Sequence, residues 1–234
     1  MIKSHPSEEL LRAFVSGELP PALALCVSAH VDMCRLCQRE VKQIEQELAA
    51  SIEHQNNDSA DIQVSDDLTA MMAAIIDSEP APVEQPSLVA ERHKAKHIRW
   101  QDNKFLLPRA LQRQIAEQPE LVTGDSWFQL GKLWRGRLAE HQQWRTSFYY
   151  IEQGGEIPEH THKGREITLV LSGSFVDGDE VYQEGDFIYR DGAHTHKPGA
   201  SVSEDCLCFT AVEAPLHFTS GATRLLNPIG KLLY

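Results

Sequence analysis

Two stretches of this chain place metal-binding side chain types at spacings that let them converge. The first runs from His30 to Cys37 and reads HVDMCRLC. His30, Cys34 and Cys37 are four and three residues apart, and on a helix such residues share a face. A break at Asp32 has the same outcome, because Asp32 then caps the next helix and both cysteines lie on its first turn. Two thiolates and an imidazole suit a tetrahedral structural zinc site; a redox-active dithiol uses the same CxxC spacing. The fourth ligand is missing locally. His5, just ahead of the first helix, and Cys26, four residues before His30, are the candidates. Cys26 sits in the apolar run LALCVSAH, which suits a small buried core residue.

The second stretch reads Gly154-x5-His160-x-His162-x3-Glu166-x6-Gly173, and downstream comes Gly185-x10-His196. On a strand His160 and His162 point to one face, and Glu166 shares their parity. Two imidazoles and a carboxylate inside a barrel, joined by His196, form a metal site with room for a further ligand. Such donors suit Zn, Mn, Fe or Ni. His194 shares the parity of His196, either supporting a ligand from behind or lying exposed. Cys206 and Cys208, two apart in DCLCFTAV, face one way on a strand, as core cysteines or as a redox-sensing pair.

These residues need elements to hold them. Ser7 as N-cap, Glu8 and Glu9 in the first turn and Gly17 as a stop predict a helix over 7–16. Pro20 and Pro21 open a second helix carrying Leu23, Leu25, Val27 and Ala29. A third runs from about Cys34 to Glu53, with Val41, Ile44 and Leu48 at helical spacing. Residues 54–64 are polar and loop-like. Ser65 caps a fourth helix whose stripe of Leu68, Met71, Met72, Ile75 and Ile76 suits a core or a partner-facing seam. Residues 78–97 are proline-rich, then basic, and read as a linker. Strand patterns follow in WFQLGKLW, TSFYYIEQ, REITLVLSGSF, DFIYRDG and CLCFTAV, separated by glycine-containing turns, which predicts a β-sandwich or barrel. The expected organisation is a helical domain over 1–80, a linker over 81–102 and a β domain over 103–234.

Composition narrows the function. The chain has 234 residues, enough for one large or two small domains, with 22 basic and 34 acidic side chains. Residues 1–80 hold 5 basic and 14 acidic side chains, and the remainder 17 and 20. An acidic surface repels phosphates, so no direct nucleic-acid contact is expected; it suits a basic protein partner or simple solvation. No apolar run approaches the roughly 18–20 residues of a membrane span, so no membrane association is expected. The N-terminal MIKSHPSEELLRAF has no signal-peptide core, and the expected location is cytoplasmic. Clustered cysteines there point to metal or redox chemistry rather than disulfides.

His5 followed by His30-x3-Cys34-x2-Cys37 resembles the zinc-binding anti-sigma domain. In that family a four-helix domain wraps an extracytoplasmic-function sigma factor and blocks its access to RNA polymerase. The resemblance covers roughly residues 1–80 and implies zinc on His5, His30, Cys34 and Cys37. The second stretch resembles the two cupin motifs of a jelly-roll β-barrel. The first motif matches in every spacing. The second departs, with Asp191 where proline is usual, Ala193 for a glycine and Ala200 for an asparagine, departures that weaken an enzymatic reading more than a metal-binding one. The two in this order look like the anti-sigma factors of the ChrR type, which hold zinc in each domain. That resemblance implies cupin ligands His160, His162, Glu166 and His196, and DCLCFTAVEAPLHF looks like the family's C-terminal strands.

The expected fold is therefore multi-domain α and β, a zinc-stapled four-helix domain followed by a cupin. The expected function is non-catalytic: sequestration of the sigma factor by the N-terminal domain, and its release under oxidative stress, singlet oxygen or organic peroxide, sensed by the cupin. Two alternatives use the same residues. One is a metal-dependent cupin dioxygenase or isomerase with an accessory helical domain. The other is a cupin small-molecule sensor without a sigma partner.

Overall fold

The computed structural model describes residues 1–57, 65–78, 97–100, 103–192 and 195–219. Four helices come first: α1 (Glu8–Val15), α2 (Pro21–Met33), α3 (Arg35–Asn57) and α4 (Asp66–Asp77). Ser7 Oγ accepts from the Leu10 amide at 3.2 Å, and Gly17 at φ 73° closes α1. Pro21 opens α2, where its missing N–H costs nothing. Ser65 Oγ accepts from the Leu68 amide at 3.3 Å and caps α4. The break between α2 and α3 falls at Cys34 (φ −112°, ψ 108°), not at Asp32. Asp32 instead accepts from the Ala110 amide at 2.9 Å and faces Arg109 at 3.6 Å. It thereby caps a later helix, α5 (Arg109–Gln114), whose Pro108 makes no side-chain cap of its own. Most of the polar loop and linker expected at 54–64 and 78–97 lies outside the described residues.

The hairpin β1 (His97–Trp100) and β2 (Asn103–Leu106) precedes α5, a 3₁₀ turn (Ile115–Glu117) and α6 (Pro119–Thr123). The sequence patterns did not indicate these helices, whose few turns carry too little periodicity to register. Twelve strands follow among the described residues: β3 (Phe128–Leu130), β4 (Leu133–His141), β5 (Trp144–Ile151), β6 (His160–His162), β7 (Glu166–Ser172), β8 (Ser174–Asp177), β9 (Glu180–Gln183), β10 (Phe187–Arg190), β11 (Thr195–His196), β12 (Gly199–Ala200), β13 (Cys206–Val212) and β14 (Leu216–Phe218). A six-stranded sheet has the order β10-β7-β13-β5-β4-β3, and two three-stranded sheets have the orders β11-β6-β14 and β12-β8-β9. Every pairing in these three sheets is antiparallel.

One face of the six-stranded sheet contributes Leu133, Tyr149, Ile151, Val170, Cys206 and Cys208 to a core that Phe175, Tyr182, Ala200 and Phe218 complete from the smaller sheets. This is the expected barrel. The opposite face is buried as well, through Phe148, Leu169, Leu207 and Phe209, because α2 packs on β5, β7 and β13. That double burial explains why CLCFTAV is apolar at every position but Thr210 rather than alternating.

Packing accordingly divides the chain into one unit of Met1–Lys42 with Ala95–Tyr234 and a second of Gln43–Lys94. The first two helices and the start of the third thus pack with the β domain, a different grouping from the segments 1–80, 81–102 and 103–234. A helical unit this small has little core of its own, and the sheet offers α2 a broad apolar surface. Within the second unit α4 has no buried residue.

Arg165, just before β7, grips Glu213, just after β13, through bonds of 2.9 and 3.0 Å, and Glu213 also accepts from the Arg165 amide at 3.0 Å and from Gln143 at 2.8 Å. These bonds, with Arg165 foremost, hold the Glu213 carboxyl down to about 2. The folded value lies below the unfolded one of about 4.3, so this stabilisation is complete above about pH 4.5 and is lost as pH falls toward 2. Glu213→Gln is expected to cost about 1 kcal/mol at pH 7, a deficit that shrinks between pH 5 and pH 3. Urea midpoints across that range measure it, and a pH-independent deficit would contradict the assignment.

Candidate metal centres

Two segments separated in the chain, His5 and the stretch His30–Cys37, build the first centre. His5 lies ahead of α1, His30 near the end of α2, Cys34 at the break and Cys37 in the first turn of α3. Their donor atoms all lie within 4.8 Å of one another. His5 Nδ1 is 3.5 Å from both sulfurs, and His30 Nε2 is 3.3 Å from Cys37 Sγ. Metal arms of about 2.0–2.1 Å to nitrogen and 2.3 Å to sulfur give a tetrahedron with a nitrogen–sulfur edge of about 3.5 Å, so these donors fit one ion in kind and spacing. Cys26 stands outside the set. It is fully buried, and burial pushes its thiol far up, as befits a core residue.

The hydrogen bonds behind the donors agree. His30 Nδ1 lies 2.8 Å from the Gly185 carbonyl, so it carries the proton and leaves the Nε2 lone pair facing the sulfurs. Burial pushes the imidazole down to about 4, keeping it neutral. Burial and then the neighbouring Cys34 push the Cys37 thiol up to about 12. The Cys37 thiolate is therefore disfavoured here unless a cation compensates it, which is what a bound metal does.

The second centre lies in the barrel. His160 on β6 and His196 on β11 are direct cross-strand partners, and Glu166 opens β7. Their donor atoms lie within 4.8 Å of one another. His160 Nδ1 lies 2.8 Å from the Pro158 carbonyl and His196 Nδ1 lies 3.1 Å from Asp177 Oδ2, so both rings have Nδ1 anchored. His196 Nε2 is 3.5 Å from Glu166 Oε2. Burial would raise the Asp177 carboxyl, but the hydrogen bond from His196 and the neighbouring Arg190 help to hold it below its ordinary range. Of the four expected ligands, three are brought together. His162 lies on β6 opposite Leu216; its side chain, and all of His194, fall outside the described residues.

A cavity of about 20 Å³ beside this centre is lined by Tyr149, His160, Glu166, Thr168, Cys208 and Thr210, which is room for about one water. Cys206 and Cys208 are buried with their sulfurs 3.4 Å apart. That hydrogen bond, and burial after it, holds the Cys208 thiol well above its ordinary value. Sequence reasoning missed the supports: Gly185 behind His30, and Asp177 and Arg190 behind His196. Gly185 was visible only as the first residue of the second cupin-like spacing.

A barrel of this topology with a histidine–carboxylate centre is a cupin-like domain, and residues 129–215 match the family model of the ChrR cupin-like domain. Across 99% of its length, and 99% of the relative's, the chain is 28% identical to the anti-sigma-E factor ChrR of Cereibacter sphaeroides. The fold matches a chain in the crystal structure of Rhodobacter sphaeroides SigE in complex with the anti-sigma ChrR, with a TM-score of 0.65 and 25% identity, covering 91% of this chain and 100% of that one. The chain is thus similar to a ChrR anti-sigma factor along nearly its whole length, helical segment and barrel alike.

Cys34→Ala is expected to remove about one metal equivalent per chain, and His160→Ala one from the other centre. Plasma mass spectrometry of the full-length variants measures this. Metal content unchanged from the parent protein in either variant would contradict that centre's ligand set.

Proposed function

We propose that this protein is an anti-sigma factor that sequesters an extracytoplasmic-function sigma factor through residues 1–80 and releases it on a signal received by the cupin-like domain. The observation that carries the reading is α4. Its Leu68, Met71, Met72, Ile75 and Ile76 are between 48% and 77% exposed. A helix of 12 residues is marginal alone in water, and a contiguous apolar stripe marks an interaction surface. The acidic excess of residues 1–80 suits a basic partner. The Cereibacter relative is an anti-sigma factor, and the Rhodobacter structure holds its anti-sigma protein in complex with SigE. Similarity to a regulator likewise supports a binding role rather than catalysis.

Two nitrogens and two sulfurs make zinc the metal proposed for the first centre. Zinc is proposed for the second as well, where Mn, Fe and Ni share the donor preference. His162 is the proposed fourth cupin ligand. The stimulus is oxidative, singlet oxygen or an organic peroxide, with Cys206 and Cys208 as oxidisable thiols beside the cupin centre. Their burial makes them slow to react until the barrel opens. Release draws its free energy from the different stabilities of bound and free states, not from turnover. The proposed site of action is the cytoplasm, without nucleic-acid contact. Among the described residues no helix is long and apolar enough to cross a membrane.

The full chain mixed with its cognate sigma factor is expected to co-elute as one species in size-exclusion chromatography. Ile75→Asp places a charge in the stripe and is expected to weaken binding about 30-fold, the scale of an interface hot spot. Separate elution of the metal-loaded parent chain would overturn the reading.

A further inference from the structure

Strand β10 meets the supports of both metal centres, one set at each end. Ahead of it, the turn Gln183–Phe187 reaches the first centre. The Gly185 carbonyl accepts from His30 Nδ1 at 2.8 Å. Asp186, only 1% exposed, accepts from the Lys3 and Ser4 amides at 2.6 and 2.9 Å through Oδ1, and from the Gln183 amide at 2.8 Å through Oδ2. The Phe187 amide donates to the Ser4 carbonyl at 3.0 Å. These bonds fix the two residues directly ahead of His5. Ile2 seats on Gly185, whose φ of 91° favours glycine and where a Cβ would collide with the Ile2 side chain. The Phe187 ring meets the His30 ring edge-on at 5.7 Å.

At the other end, Arg190 Nη2 lies 2.9 Å from Glu180 Oε2, 2.8 Å from Tyr182 Oη and 3.5 Å from Asp177 Oδ2. Asp177 anchors His196, and Arg190 pairs in register with Glu166. Four residues of strand span about 13 Å.

We propose that Gly185 and Asp186 are positioning residues of the N-terminal metal centre, and that β10 couples that centre's hold on its metal to the state of the cupin centre. The proposal rests on both clusters binding metal. Gly185 fixes the tautomer and orientation of His30, while Asp186 clamps the backbone that delivers His5. Losing such outer partners weakens a metal site about 10–100-fold. Asp186 is a buried carboxylate satisfied by three amides, so its removal leaves those amides unpaired as well. A close-packed strand hydrogen-bonded at both ends moves as a piece, so a shift at Arg190 is felt at Gly185. Linkage makes the effect reciprocal. Loss or alteration of the cupin metal thereby loosens the segment that bears the first centre.

The test uses full-length, metal-loaded protein. Alkylation of Cys34 and Cys37 by iodoacetamide in the presence of a chelator, followed by peptide mass spectrometry, reads how firmly the first centre is held. Asp186→Ala is expected to accelerate it about 10–100-fold. Asp177→Asn, which touches no residue of the first centre, is expected to accelerate it about 2–30-fold. Hydrogen exchange at the β13 amides reports whether the barrel stays folded; if Asp186→Ala loosens it, Asp186→Asn, of the same shape, takes its place. A parental rate in the Asp186 variant would overturn the clamp. A parental rate in Asp177→Asn beside a fast Asp186 variant would overturn the coupling. A parent chain with fewer than two metal ions would overturn the metal reading beneath both.

Discussion

Both nitrogens of the His30 ring are engaged, and much of the structure depends on that. Nδ1 is bound to a backbone carbonyl of the β9–β10 turn, and Nε2 faces the sulfur cluster. A buried imidazole with one polar edge on a sheet turn and the other on a candidate metal centre joins the helical segment to the barrel by chemistry that admits one tautomer. Burial favours the neutral ring, the form that ligates a metal. Around it the arrangement is consistent: α2 covers the outer face of the six-stranded sheet, the Ile2–His5 segment is clamped to Asp186, and Gly185 leaves room for Ile2.

The two centres solve the same problem with different donors. In the first, burial and the neighbouring Cys34 make the Cys37 thiol resist ionisation, and a cation favours its thiolate. In the second, each histidine has its Nδ1 occupied, by a carbonyl behind His160 and by a carboxylate behind His196. The carboxylate is in turn steadied by Arg190. Outer partners of this kind aim a ring before any ion arrives. A cavity of about 20 Å³ lies against His160 and Glu166, and an open one of about 930 Å³ lies against His196 and Asp177.

The donor residues were legible because their chemistry is carried by residue type and spacing. The helix caps at Ser7 and Ser65 and the strand over Cys206–Val212 were legible for the same local reasons. What local pattern does not carry is which surface an apolar helix seeks. The α2 run of Leu23, Val27 and Ala29 reads alike for a four-helix core and for the back of a sheet, and here it packs against the sheet. Asp32 likewise reads as a cap for the next helix, yet it caps one beginning 77 residues later in the chain, at Arg109. Asp186, Asp177 and Arg190 are ordinary charged residues in sequence and acquire their roles only through contacts distant along the chain.

The most direct test of this account is the protonation of His30 in the metal-loaded, full-length protein, read by long-range ¹H–¹⁵N correlation spectroscopy of the histidine side chains. The account predicts a single Nδ1–H tautomer with a metal-shifted Nε2, unchanged between pH 5 and pH 8. An Nε2–H tautomer, or a ring that titrates within that range, would contradict it.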